Sequence, residues 1–157
     1  GKARRWDGKG FNAPWNEFGA PISALQIPKE KGGGPASSGA GGFHWGPSVS
    51  WNSYLECWVM LMGHVEGPRW IGDKLYISFN RHRDLGKGNN SQAWSTPQIL
   101  VQKPGHVLWY PSLQPLNTPE DIAAKNTSLK LGKRARLFFK YSDLGRYFSE
   151  YIVEFEK

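Results

Sequence analysis

Only one cysteine, Cys57, occurs in 157 residues, which excludes an internal disulfide and a cysteine-rich zinc site. Long apolar runs are missing too. The longest, Trp58 to Met62, falls far short of the ~20 residues needed to span a bilayer, so no membrane partner is expected. The four histidines, His44, His64, His82 and His106, lack metal-ligand spacing, and no metal or cofactor is expected. There is no Gly-x-Ser-x-Gly, no phosphate-binding P-loop and no dinucleotide fingerprint. Gly32 to Gly34 is a glycine-only signal, and the sialidase-type Ser-x-Asp-x-Gly-x-x-Trp box is absent. Acidic residues are few: 13 Asp+Glu against 20 Lys+Arg leave a net charge of +7. No charged-then-apolar leader and no initiator Met open the chain, so it reads as a mature chain or a fragment.

What is present points to a β-rich chain of about one domain. Hydrophobic residues make up 39%, aromatics 14% and charged residues 21%, which is not the balance of a disordered polyelectrolyte. Nineteen Gly and eleven Pro argue for many turns and against a helical bundle. Residues 28–42 read as a Gly-rich flexible loop whose composition cannot drive its own ordering. Beyond it, four strands are predicted over Trp45–Trp51, Leu55–Val65, Lys74–Asn80 and Thr96–Gln102, separated by turn-forming residues. Lys74–Asn80 alternates Leu75, Ile77 and Phe79 against Tyr76, Ser78 and Asn80, the period of a half-buried strand. Strands joined in this way make a β-meander.

The pattern then recurs. Trp109-Tyr110-Pro111-Ser112-Leu113 echoes Trp45-Gly46-Pro47-Ser48-Val49 at a spacing of 64 residues. Arg134–Tyr141 and Tyr147–Phe155 supply two further strands of this second unit, with no fourth before Lys157. Between its first and second strands, residues 118–125 carry the only good helix signal. Thr118 can cap, Pro119 suits the first turn, and Glu120 and Asp121 complement its positive end. The expected fold is therefore all-β and propeller-like, with about two four-stranded antiparallel blades and one short helical insertion; a β-sandwich is the alternative. The expected division is the end of a preceding blade (1–27), the Gly-rich loop (28–42), a full blade (43–103) and a last, incomplete blade (104–157).

The run from Phe43 through Trp45-Gly46-Pro47-Ser48-Val49-Ser50-Trp51-Asn52, with Val59-Met60-Leu61-Met62 and Leu75-Tyr76-Ile77-Ser78-Phe79-Asn80, resembles a known group. It is similar to the C-terminal part of bacterial five-bladed β-propeller proteins of glycoside-hydrolase type, arabinanase- and xylosidase-like. Arg5-Trp6-Asp7-Gly8 with Trp15-Asn16-Glu17, Ala93-Trp94-Ser95-Thr96-Pro97 and Ala135-Arg136-Leu137-Phe138 fit the same pattern. The resemblance implies a carbohydrate partner, an extracellular or periplasmic location and the remaining blades of the same propeller as a further partner. It also implies hydrolysis by carboxylates from different blades, of which the early ones are not in this chain.

In a propeller the first strand of each blade lines the channel, and one face gathers the inter-blade connections. That face would hold His44, Trp45, His64, Glu66, Arg69 and Trp70, then His106, Trp109 and Tyr110, with Asp143 and Arg146 from a late turn. Aromatics mixed with His, Arg and carboxylates suit a sugar, whose faces stack on rings while its hydroxyls need donors and acceptors. Glu66 opens a Glu-Gly-Pro tripeptide of the kind that holds the general acid in arabinanase-like enzymes, but it follows a second strand here, where an exposed turn glutamate is the competing reading. Trp51, Trp58 and Trp94 read as packing residues, and Asp73 and Asp84 as turn formers. Two alternatives to a glycoside hydrolase stay open: a non-catalytic propeller interaction module, and a nucleic-acid binder. The basic residues Lys130, Lys133, Arg134, Arg136 and Lys140 raise the latter, which ranks behind because on strands they alternate with core residues. An acidic polysaccharide fits the same charge.

Overall fold

A computed structural model describes residues 43–65, 72–88, 90, 93–141 and 147–157, with the backbone alone at Phe43 and over 147–150. Residues 1–42, with the expected preceding blade end and Gly-rich loop, lie outside the described residues. So do Glu66, Arg69, Trp70, Asp143 and Arg146.

Turn-forming clusters cut the described chain into β1 (Phe43–Asn52), β2 (Cys57–Val65), β3 (Lys74–Asn80), β4 (Gln98–Gln102) and β5 (Leu108–Gln114). Then follow α1 (Pro119–Ala123), β6 (Lys130–Leu131), β7 (Arg134–Tyr141) and β8 (Tyr147–Glu154). The all-β expectation holds, with one short helix capped by Thr118, whose hydroxyl accepts from the Asp121 N–H at 3.2 Å. No helix of the described residues is long and apolar enough to cross a membrane.

β1 to β4 form the expected antiparallel meander, with β4 beginning at Gln98 rather than Thr96. The strand count departs from expectation in the first sheet alone. The first sheet has five strands in the order β4-β3-β2-β1-β6 and is mixed, because β6 pairs parallel to the end of β1; the second has three, β5-β7-β8. A two-residue strand has no period to read in sequence, yet β6 meets a definite need. Trp51 and Ser53 N–H groups at the β1 edge donate to the Leu129 and Leu131 carbonyls at 2.9 and 2.8 Å. Ser50 Oγ donates to the Ser128 carbonyl at 2.6 Å. Backbone groups at a sheet edge require partners, and the loop after α1 supplies them.

The two sheets share one core. Val59, Leu61, Leu75 and Ile77 of the first meet Leu108, Leu113, Ala135, Leu137 and Phe139 of the second, with Leu131 and Phe155. β7 alternates as its sequence does: Ala135, Leu137 and Phe139 are buried, while Arg136, Phe138 and Lys140 are half-buried on the other face. β2 is buried at every position except the half-buried Trp58. The half-buried reading of β3 is also corrected, since Tyr76, Ser78 and Asn80 are as buried as Leu75 and Ile77. The polar pair tolerates this because each is satisfied. Ser78 Oγ donates to the Ser95 carbonyl at 2.6 Å, and Asn80 Nδ2 to the Asn90 carbonyl at 2.7 Å.

Candidate functional site

The repeated Trp-x-Pro-Ser element is the same backbone device in both sheets. Between Trp45 and Ser48 the β1–β2 register slips by one residue, and between Trp109 and Ser112 the β5–β7 register slips likewise. The second residue of each element lies in the left-handed region, Gly46 at φ 56° and Tyr110 at φ 54°. Each is thus a β-bulge, which bends its strand and re-aims side chains. A Cβ on Gly46 would lie 3.9 Å from Tyr110 Cδ1, so the two bulges face one another. Glycine adopts this conformation freely, whereas a tyrosine does so against steric resistance.

Around the bulges the two sheets approach closely. A Cβ on Gly63 would stand 3.4 Å from the Leu108 carbonyl oxygen and 3.6 Å from that of Trp45. The Leu108 N–H donates to the Gly72 carbonyl at 2.9 Å, and a Cβ on Gly72 would overlap the His64 carbonyl. The start of β1, end of β2, start of β3 and start of β5 therefore meet at one end of the molecule.

Several expected site residues are gathered there. His44 pairs with His64 across β1–β2, their ring centroids 6.1 Å apart, and both abut the buried Tyr76 ring, at 4.8 and 5.6 Å. Burial, followed by the neighbouring His64, pushes the pKa of His44 down to about 4, while the Gly63 backbone pulls back. His44 is accordingly neutral near pH 7. Trp109 and Tyr110 meet edge to face at 6.1 Å, and Lys140 Nζ lies 5.1 Å from the Trp109 ring centre. The Trp109 Nε1–H is buried and meets no acceptor among the described residues. Tyr110 is 53% exposed. His106 packs on Tyr141 at 4.6 Å, at the same end of the second sheet.

Of the expected face, His44, Trp45, His64, His106, Trp109 and Tyr110 thus share one end, whereas Glu66, Arg69, Trp70 and Arg146 lie outside the described residues. Sequence reasoning missed Tyr76 and Tyr141 and named Lys140 only among the basic residues of the nucleic-acid reading. Tyr76 was legible only as a large ring on the polar side of its strand, and the structure sets Lys140 opposite Trp109. Trp51 and Trp58, read as packing residues, meet edge to face at 5.4 Å and are half-buried; Arg83 lies 5.8 Å from the Trp51 ring centre.

Two open cavities lie elsewhere. One of about 880 Å³ is lined by Leu55, Cys57, Phe79, Arg81, Trp94 and Glu156, and one of about 460 Å³ by Tyr54, Leu116, Asp121, Asn126 and Lys133. Burial raises the pKa of Cys57, so its thiol is no ready nucleophile. Among the described residues no group of three or more His, Cys, Asp or Glu is placed to hold a metal ion. Compared with protein-family models, with curated proteins and with solved structures, the chain matches none.

Proposed function

We propose that the protein binds carbohydrate at the end where the two bulges meet, and that its sheets are neighbouring blades of a propeller-type fold. The blade reading is supported by the recurrence of one bulge in both sheets and by the burial of β2 and β3 on both faces. A sandwich sheet would turn alternate residues outward as a polar face. A blade is covered by a neighbour on each side.

The saccharide reading is carried by Tyr110: a bulky residue held in the left-handed region, more than half exposed, and set against Trp109. Glu56 and Lys125 share this backbone conformation, and Tyr110 differs from them in presenting an aromatic ring set against a tryptophan. Sugar faces stack on such rings, and the Trp109 Nε1–H, which meets no acceptor among the described residues, can donate to a hydroxyl.

Hydrolysis adds a further requirement, since an acid and a second carboxylate must flank the scissile bond. Glu66 is the residue proposed for the acid, and Asp73, half-buried before β3, is the described carboxylate nearest in chain to this end. Glycan-array binding by the wild type should weaken by about tenfold or more in Trp109→Ala and Tyr110→Ala, the loss of one stacking ring. Unchanged array binding in both variants would remove the proposal. Turnover of aryl glycosides abolished by Glu66→Gln would establish the hydrolase, and absence of turnover in a protein that still binds would leave a binding module.

A further inference from the structure

The face of the second sheet that turns away from the core carries charge as well as rings. Cross-strand pairing sets Trp109 opposite Lys140, Ser112 opposite Phe138, and Gln114 and Ile152 on either side of Arg136. All lie on the face opposite Ala135, Leu137 and Phe139, which are buried. Lys140 Nζ lies 5.1 Å from the Trp109 ring centre, and Arg136 Cζ 6.0 Å from that of Phe138. Arg134 continues the row. The register sets Glu150 opposite Phe138, and Glu154, at the far end, is already held by Lys133 at 2.9 Å. Glu154 also lies directly opposite Arg134, and the chain as a whole has a net charge of +7.

We infer that the glycan bound at the bulges is acidic, carrying carboxylate or sulfate groups, and that Lys140, beside Trp109, meets its anionic group. The inference rests on the saccharide reading above and names its substrate class. A neutral sugar needs only the ring faces. A half-buried lysine whose ammonium lies 5.1 Å from a stacking indole adds something else, because it stands where the anionic group of a stacked acidic sugar would fall. Charge-assisted contacts are stronger than neutral ones, and partial burial spares them some screening.

The test is equilibrium binding to polygalacturonate, to the same polymer fully methyl-esterified, to heparin and to a single-stranded oligonucleotide. Polygalacturonate or heparin should bind about tenfold more tightly than the ester, with a preference that shrinks as salt rises from roughly 50 to 200 mM. Which of the two acidic polymers binds better assigns carboxylate or sulfate as the recognised group. Lys140→Met and Lys140→Gln, each checked for an unaltered thermal midpoint, should reduce the preference to about threefold or less. Lys87→Ala, on the exposed turn after β3, should keep it. Equal binding of ester and acid overturns the inference while leaving the saccharide reading intact, and so does an oligonucleotide that binds more tightly than either acidic polymer. Failure to bind any glycan, neutral or acidic, overturns the saccharide reading itself.

Discussion

A left-handed backbone costs a bulky side chain roughly 1 kcal/mol or more, and of the four non-glycine residues described there, Glu56 and Tyr110 bear that cost for different reasons. Glu56, at φ 54°, closes the turn between β1 and β2, and its exposed side chain has no evident use there. Replacing it with glycine should stabilise the protein by about 0.5–1 kcal/mol, read as a higher denaturant midpoint with an unchanged slope. Tyr110 occupies the place that Gly46 fills in the first sheet. Tyr110→Gly should cost no stability, yet it should lose glycan binding as Tyr110→Ala does. A destabilised Tyr110→Gly would show the ring to be structural instead. His44 gives a pH signature at the same scale. Its pKa is lowered to about 4 in the folded protein against an ordinary 6.5, so between those values the unfolded chain binds the extra proton. Stability from this residue is fully present above pH 6.5, falls as pH drops toward 4 and levels off below. Because the ring keeps some contact with solvent, the effect is about 1–2 kcal/mol rather than the larger value that the shift alone suggests. Urea unfolding of His44→Phe across this window should show that part of the slope removed.

At the scale of the element, most strands were legible because their sequences separate apolar runs with residues that favour turns. β7 alternates cleanly and faces the core on one side, so its period reports its burial. β3 shows where this logic stops. Ser78 and Asn80 look solvent-facing in sequence but are buried, because hydrogen bonds to Ser95 and Asn90 offset their desolvation. Nothing in a period of two encodes a partner ten or seventeen residues away. The bulges were legible as a repeated tetrapeptide, although not as bulges, since the signal lay in recurrence rather than composition. β6 could not be read at all, because two residues carry no pattern. Asn52 is the element-scale residue to test. Its buried side chain donates to the Gly132 carbonyl at 3.0 Å and accepts from the Tyr54 and Leu55 N–H groups at 3.0 and 2.8 Å. Asn52→Ala should cost about 2–3 kcal/mol in chemical denaturation, since it leaves these backbone groups without partners.

For the molecule as a whole, the junction between the sheets is made by backbone where side chains would not fit. The Gly72 carbonyl accepts from Leu108, the first residue of β5, and a Cβ on Gly72 has no room beside the His64 carbonyl. Gly72→Ala should therefore loosen both sheets together, with a loss of about 3 kcal/mol or more and a single broadened thermal transition. Two separate transitions, or a loss below about 1 kcal/mol, would show that the sheets do not depend on this joint. The candidate site inherits the same dependence, because His64 and the residues leading into Trp109 are held across it.

The short parallel strand β6 also has a consequence for how the protein is made. Asn52 and Ser53 find partners at Gly132 and Leu131, about eighty residues further along the chain. A ribosome adding some 5–20 residues each second must therefore run for about 4–16 s after Asn52 is made before those partners exist. Through that interval the growing polypeptide carries an incomplete edge, a natural target for holding chaperones, and its maturation hinges on a latch that arrives late.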